Sequence, residues 1–185
     1  MRLFIAIPLA ESVESQLKQL TNRLKPAAPN LRWSSPDSWH ITLQFLGNAS
    51  DEQYGCLLPR LAELKASPIP IEFEGLGAFE RAGVFILKVA PTPALVALQK
   101  RVVEATQPYG FEVEDRPYRP HITLARTKPG SGKSELHALL ERAGEKTHFE
   151  QFSATEFRLY ESHLSPAGST YEMKRRFPLG ECHNR

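Results

Sequence analysis

The tetrapeptide His-Ile-Thr-Leu occurs twice in this chain, at residues 40–43 and again at residues 121–124. The two copies lie 81 residues apart in a chain of 185 residues. Each copy begins a strand-like run, and each follows a proline and an aromatic residue. A repeat at nearly half the chain length predicts two similar lobes that share one core, so we expect residues 1–185 to form a single bilobal domain.

Alternation along a strand places the histidine and the threonine of each copy on one face, with the isoleucine and the leucine on the other. The apolar pairs can pack beneath helices, and the polar pairs can face a cleft. Two such lobes around a pseudo-two-fold axis would bring together four side chains: His40, Thr42, His121 and Thr123. These four residues form the candidate site.

Two histidines and two hydroxyls suit the opening of a cyclic phosphate by water. One group must take a proton from the water, and another must give a proton to the leaving oxygen. Histidine can do either near neutral pH, and each such transfer contributes roughly 10²- to 10⁴-fold in rate. Threonine hydroxyls can donate hydrogen bonds to the non-bridging oxygens. The spacing predicts the pair but does not assign the acid and the base.

Hydrophobic patterning predicts strands and helices in an irregular order, with several strands adjacent in sequence. This order favours an α+β fold with antiparallel sheets over a doubly wound parallel sheet. Ser50 should cap the second helix, and Pro59 should kink or divide it. The predicted helices cover residues 12–24, 51–65, 93–107 and 134–142. The predicted strands cover residues 3–9, 31–33, 39–46, 69–76, 84–89, 121–126, 149–152, 155–161 and 170–177. Residues 128–133 are predicted to form a loop.

The formal net charge of +2 is too small for a protein that coats long nucleic acid, but it allows contact with one RNA end. Two cysteines, Cys56 and Cys182, are predicted to be free thiols in a reducing cytoplasm. The apolar run at the start predicts a buried strand better than a secretory signal. No stretch approaches the length of a membrane span.

A metal site is the main chemical rival. The chain has six histidines, but none belongs to a His-Glu-x-x-His motif or to a Cys/His cluster with zinc spacing. The pattern therefore predicts no catalytic metal. The sequence also contains no glycine-rich phosphate loop that would indicate a nucleotide cofactor. We expect the site to need no cofactor.

At its two His-Ile-Thr-Leu copies the sequence resembles the 2H phosphoesterase superfamily. Within it, the sequence is most similar to the RNA 2′,3′-cyclic phosphodiesterases, also called 2′-5′ RNA ligase-like proteins. The resemblance covers nearly the whole chain. It includes residues 1–7, 39–47, 120–126 and 159–162, with Gly168 and Tyr171.

The resemblance implies a bilobal α+β fold in which two antiparallel sheets face a central cleft and the helices lie outside. It implies hydrolysis of a terminal RNA 2′,3′-cyclic phosphate to a 2′-phosphomonoester, with His40 as the proton donor to the 3′ oxygen and His121 as the base that activates water. Reversible 2′-5′ RNA joining is also implied. The expected partners are RNA 3′ ends that carry the cyclic phosphate, tRNA halves among them, and the expected state is a cytoplasmic monomer.

Residues beyond the motifs are further candidates. Simple alternation puts Arg126 on the face away from the second histidine, so it needs a strand irregularity to reach phosphate. Arg116 and Arg119 precede the second motif in a proline-containing loop and could guide RNA. Trp39 and Phe45 are candidates either for stacking on a base or for packing in the core.

Two other functions fit the same motifs. One is a phosphodiesterase of the same superfamily that acts on a small cyclic nucleotide or a 2′-5′ oligonucleotide, because the motifs contact only phosphate and its immediate oxygens. The other is a module that binds RNA ends or nucleotides without turnover. Two intact histidines argue against that module, since binding alone does not require two titrating groups.

Overall fold

The structure is a computed structural model that describes residues 1–128, 132–143, 147–165 and 168–180. Its strands are β1 (Arg2–Pro8), β2 (Arg32–Trp33), β3 (His40–Asn48), β4 (Ile69–Ile71), β5 (Phe73–Phe79), β6 (Val84–Val89), β7 (His121–Arg126), β8 (Phe152–Ala154), β9 (Glu156–Ser165) and β10 (Gly168–Pro178). Its α-helices are α1 (Glu11–Leu24), α2 (Asp51–Ala62), α3 (Pro93–Thr106) and α4 (Lys133–Ala143). Residues 129–131 of the predicted loop, Cys182 and His183 lie outside the described residues.

The order strand, helix, strand, helix occurs twice along the chain. The first half contributes β1, α1, β3 and α2, and the second contributes β6, α3, β7 and α4. Each element of the second half begins 81 or 82 residues after its counterpart. The repeated tetrapeptide therefore marks a repeat of a whole structural unit, and each copy begins the second strand of its unit.

The strands form two four-stranded sheets and one two-stranded sheet. The first sheet has the order β10-β9-β1-β3, the second has the order β2-β7-β6-β5, and β4 pairs with β8. Every pairing is antiparallel. The predicted α+β class with antiparallel sheets is confirmed. β3 lies at the edge of its sheet, whereas β7 lies between two neighbours.

One cluster of buried apolar side chains includes residues of both large sheets and of all four helices. Helix α1 buries the face that its 3.6-residue period predicts: Val13, Leu17, Leu20 and Leu24. Each fully buried leucine or isoleucine contributes roughly 1.5–3 kcal/mol. Ser50 caps α2 through a capping box with Gln53, as predicted. The core packs against the face of each motif strand that is opposite the histidine and the threonine, and so holds both strands in place.

Three predictions of local structure are wrong. The strand predicted over residues 149–152 is not formed at residues 149–151, because β8 begins at Phe152. Residues 69–76 were predicted as one strand, but Glu72 separates β4 from β5, and these two strands pair in different sheets. The alternation of Ile69 and Ile71 marks a buried face but does not encode which sheet the strand joins. Helix α2 was predicted to extend to residue 65 and to kink or divide at Pro59; it ends at Ala62 and is not divided at Pro59, which lies in its last turn. None of the described helices is long and apolar enough to cross a membrane.

Candidate active site

The two motifs line one pocket of about 410 Å³. His40 and Thr42 enter it from β3, and His121 and Thr123 enter it from β7. All four side chains are half-buried, whereas the isoleucine between each pair is fully buried on the opposite face. This volume lies within the range of small-molecule and nucleotide sites. The structure thus brings together the four residues singled out from the sequence.

A bulge in β7 brings Arg126 into the same pocket. The adjacent β6 residues Phe85 and Ile86 pair with Ala125 and Thr123, which leaves one extra residue in β7. Because the extra residue shifts the alternation by one position, Arg126 emerges on the histidine face. It lines the pocket. The placement that simple alternation predicted is wrong, and the required strand irregularity is present.

The same irregularity occurs in β3. Two adjacent residues of β1 pair with Gln44 and Thr42, again with one extra residue between them. Phe45 consequently lines the pocket, and 60% of its surface is exposed. Phe45 in β3 therefore occupies the position that Arg126 occupies in β7.

The remaining candidates from the sequence lie elsewhere. Trp39 is buried in the core and is not available to stack on a base. Arg116 and Arg119 are exposed but do not line the pocket. Of the two aromatic candidates, only Phe45 is accessible from the pocket.

The two histidines have different surroundings. The ring of His40 lies 4.8 Å from that of Phe4, 5.3 Å from that of Tyr171 and 6.3 Å from that of Tyr160, measured between centroids. His121 has one ring neighbour among the described residues, Phe79, at 4.8 Å and edge-on. The first histidine is thus enclosed by aromatic side chains.

Hydrogen bonds to the backbone orient both imidazoles. Nδ1 of His121 lies 2.8 Å from the carbonyl oxygen of Arg119. Because a carbonyl only accepts, Nδ1 donates the proton, and Nε2 of the neutral ring keeps its lone pair. A ring nitrogen of His40 makes the corresponding bond to the carbonyl of Ser38, also two residues earlier.

Both imidazoles are harder to protonate than free histidine. Burial lowers the pKa of His40 to about 4; the bond to the Ser38 carbonyl opposes this shift, and the charge of His121 adds to it. Burial also lowers the pKa of His121, where the Arg119 carbonyl opposes the shift and the charge of Arg126 adds to it. Both rings are therefore neutral in the empty pocket at pH 7.

Tyr118 joins the two motif strands. Its hydroxyl donates a hydrogen bond of 2.9 Å to the backbone carbonyl of Thr42. Burial raises the pKa of Tyr118, so the phenol stays protonated and remains a donor. Sequence reasoning missed this contact, because the two residues lie 76 positions apart. The bond ties the approach to β7 directly to β3.

The charges that line the pocket are all positive. Arg2 and Arg126 are its two lysine or arginine residues, and no carboxylate of the described chain lines it. Such a cleft attracts anions. Together with two imidazoles and two hydroxyls, this charge pattern suits a phosphodiester.

A separate group of potential metal ligands lies outside the pocket. Ligand atoms of Glu161, His163 and Glu172 lie within 4.8 Å of one another. Lys174 already occupies this group, with its Nζ 3.2 Å from a carboxylate oxygen of each glutamate. Along β9 these positions alternate with those that line the pocket, so the group faces away from the histidine pair. Sequence reasoning missed it because its members belong to two strands.

Comparison with known proteins supports the assignment of these residues to a family. The model of the 2′-5′ RNA ligase superfamily matches residues 9–165. An RNA 2′,3′-cyclic phosphodiesterase of Archaeoglobus fulgidus is 31% identical over 180 residues, which are 96% of this chain and 99% of that protein. An enzyme of the same name from Bacillus subtilis is 32% identical over 164 residues, covering 86% of this chain and 89% of the relative.

Solved structures share the fold. Escherichia coli LigT, in a complex with 3′-AMP, superposes with a TM-score of 0.78 at 24% identity, covering 97% of this chain and 98% of LigT. TT0787 of Thermus thermophilus also gives a TM-score of 0.78, at 26% identity over 99% of this chain and 100% of that protein. These likenesses agree with the α+β architecture described above.

Proposed function

The chain belongs to the 2′-5′ RNA ligase superfamily, and we propose that it hydrolyses a terminal RNA 2′,3′-cyclic phosphate to a 2′-phosphomonoester. The observation that carries this proposal is the pocket itself. Two histidines from two sheets line it beside Arg126, and no described carboxylate does. The names of the curated relatives supply the substrate.

His121 is the base in this proposal. Its Nε2 carries the lone pair, because Nδ1 donates to the Arg119 carbonyl. The positive charge of Arg126 helps to keep the pKa of His121 low and the ring neutral. A neutral imidazole within reach of the attacking water can take its proton as the new P–O bond forms.

His40 is the acid that protonates the leaving 3′ oxygen. A bound phosphodiester anion raises the pKa of both imidazoles, but Arg126 opposes this rise at His121 more than at His40. The single proton of the pair therefore resides on His40 when substrate is bound. Burial disfavours this proton, so the assignment requires the bound substrate to raise the pKa of His40.

The two threonines and Arg126 hold the phosphate. The hydroxyls of Thr42 and Thr123 line the pocket and make no side-chain hydrogen bond to the part of the chain that the structure describes. They are free to donate to the non-bridging oxygens. The Arg126 guanidinium adds charge-assisted bonds that strengthen as charge develops on the phosphate. No step of this mechanism uses a metal.

The same groups can join RNA. With an RNA 5′ hydroxyl in place of water, His121 takes the proton of that hydroxyl and His40 protonates the leaving 3′ oxygen, which leaves a 2′-5′ linkage. The two histidines exchange roles when that linkage is cleaved back to the cyclic phosphate, so we include reversible 2′-5′ joining in the proposal. The substrates are RNA 3′ ends with a cyclic phosphate, including tRNA halves. Because one chain supplies both histidines, the monomer is sufficient for activity.

Product analysis tests the proposal. A short RNA ending in a 2′,3′-cyclic phosphate is incubated with the protein in EDTA, and we expect conversion to the 2′-phosphate alone. His40→Ala should slow conversion by orders of magnitude and retain product binding, whereas His137→Ala, at an exposed position of α4, should change neither. A 3′-phosphate product would contradict the regiochemistry, and recovery only with a divalent metal would contradict the mechanism. Binding without turnover by the wild-type protein would favour the binding module.

A further inference from the structure

The pocket extends well beyond the two motifs. It continues along β1 to Arg2 and onto the hairpin of β9 and β10, where four side chains line it: Ser162, Leu164, Ser169 and Tyr171. A single cyclic phosphate and its ribose would fill only the end near the histidines. The remainder of the pocket has its own cation, hydroxyls and apolar surface.

Arg2 stands on the same face as the site but at a distance from it. Arg2, Phe4 and Ala6 lie on one face of β1 because side chains alternate along a strand, and Arg2 and Phe4 line the pocket. Ala6 pairs with Thr42, and Arg2 lies four residues further along β1, roughly 13 Å away at the rise of a strand. Phe4 stands between them. Arg2 is therefore placed for a different phosphate from the one that Thr42 contacts.

The Arg2 guanidinium has no partner in the described part of the chain: it forms no ion pair and no side-chain hydrogen bond there. By contrast, Arg158 pairs with Glu156, and Lys174 pairs with Glu161. The backbone beside Arg2 is fixed, since the amide of Ala49 donates a 2.7 Å bond to the carbonyl of Met1. An unpaired guanidinium on a fixed backbone, in a pocket that no described carboxylate lines, suits a phosphodiester.

The hairpin adds surfaces for a nucleoside. The hydroxyls of Ser162 and Ser169 make no side-chain hydrogen bond to described residues, so they can bond to a ribose or a phosphate. Leu164, with 64% of its surface exposed, pairs across the hairpin with Ser169, and Tyr171 pairs with Ser162. The exposed side chain of Leu164 can pack against a base, and the Tyr171 ring, 5.3 Å from that of His40, forms the side of this surface nearest His40.

We propose that this end of the pocket is a second nucleotide subsite, in which Arg2 binds the phosphate between the last two nucleotides of the RNA and the Leu164–Tyr171 surface receives the penultimate nucleoside. The inference rests on the proposed function and makes it more specific. The protein reads an RNA chain of at least two nucleotides, rather than a lone cyclic nucleotide.

The subsite is tested by comparing kcat/KM on substrates of two lengths between the wild-type protein and an Arg2 variant. The substrates are adenosine 2′,3′-cyclic phosphate and the adenylyl dinucleotide with the same cyclic end. We expect wild-type kcat/KM to be about tenfold or more higher for the dinucleotide, as the gain of charge-assisted hydrogen bonds implies. Arg2→Gln should remove the part of this preference that the phosphate supplies, with a smaller loss on the mononucleotide than on the dinucleotide. Arg176→Gln, at an exposed position of β10 outside the pocket, is the matched control and should change neither.

Two modified substrates separate the phosphate from the nucleoside. With the wild-type protein, kcat/KM for a dinucleotide with a neutral methylphosphonate linkage should fall by the same factor as Arg2→Gln causes on the normal dinucleotide. With Arg2→Gln, the methylphosphonate should cause no further fall. Adenosine 2′,3′-cyclic phosphate with a 5′ phosphate should recover only part of the preference. Full recovery would mean that the Leu164–Tyr171 surface does not contribute to the subsite.

Equal rates on both lengths, or an equal loss on both in Arg2→Gln, would overturn the subsite. Calorimetry measures the affinity for the product 2′-phosphates of both lengths, and so tests the subsite independently of turnover. If the wild-type protein hydrolyses neither substrate but binds the dinucleotide product more tightly, and Arg2→Gln loses that advantage, the proposed function fails and the subsite stands. Equal affinity for both products would overturn the subsite.

Discussion

The two halves of the molecule build the same strand geometry and fill it with different chemistry. In each, a histidine, a threonine and a bulge follow in the same order along the second strand. After the bulge, β3 presents Phe45 and β7 presents Arg126. His40 lies among aromatic rings, whereas His121 lies close enough to the Arg126 charge for it to lower the histidine's pKa. The repeated unit brings one histidine from each half into the same pocket, and the two histidines differ in their neighbours.

Removal of either histidine should have the largest effect. His40→Ala and His121→Ala should each lower kcat by about 10²- to 10⁴-fold on an RNA cyclic phosphate. A substrate with sulfur at the leaving 3′ position distinguishes the roles, because a thiolate leaves without a proton. His40→Ala should recover on this substrate and His121→Ala should not. Recovery of His121→Ala instead would reverse the assignment.

The loss of Arg126 should come next. Arg126→Gln should lower kcat/KM by about 10²-fold, since charge-assisted bonds to the phosphate contribute roughly 1.5–3 kcal/mol. Steady-state kinetics on the RNA substrate measures this loss. Arg176→Gln removes the same charge outside the pocket and should have no effect. A comparable loss in that control would mean that the net charge, and not the site, is responsible.

Substitution of Phe45, the counterpart of Arg126, should have a smaller effect on activity and should change KM instead of kcat. Phe45→Ala should raise KM about tenfold and leave kcat nearly unchanged, as expected for the loss of base stacking. Phe45→Tyr should retain the wild-type KM. A fall in kcat with constant KM would assign Phe45 to the chemical step and weaken the contrast with Arg126.

The pH profile should show the difference between the two halves. Because both imidazole pKa values are lowered, the singly protonated pair is lost as pH rises through a value below 6.5. The profile of kcat/KM, which reports the free protein, should therefore have its maximum below pH 6.5. Arg126→Gln removes a cation from His121 and should move the basic limb to higher pH. No movement would mean that Arg126 does not act on the pKa of His121.

Stability should change least. The pKa of His40 is about 4 in the folded protein, against 6.5 for an ordinary histidine side chain. Below pH 6.5 the unfolded chain binds more protons than the folded chain. The free energy of unfolding therefore decreases as the pH is lowered, down to about pH 4. Between pH 7 and pH 5.5 the His40 contribution is about 1 kcal/mol. Urea unfolding should show a flatter profile for His40→Gln than for the wild-type protein and for His137→Gln.

The sequence by itself determined the features that depend on local periodicity. The period of two along each motif strand placed the histidine and the threonine on one face. The period of 3.6 in α1 predicted its buried face, and Ser50 marked the start of α2. The repeated tetrapeptide also indicated the repeated structural unit. These features follow because neighbouring residues alone set which way their side chains point.

The tertiary structure decided what depends on pairing between distant strands. A bulge is defined by the register with a partner strand, so only the fold could turn Arg126 and Phe45 into the pocket. The bond from Tyr118 to Thr42 and the place of Arg2 at the far end of the pocket likewise join segments distant in sequence. Local patterns leave such contacts open, because the same alternating strand can pair in several sheets and registers. The core selects one of these arrangements.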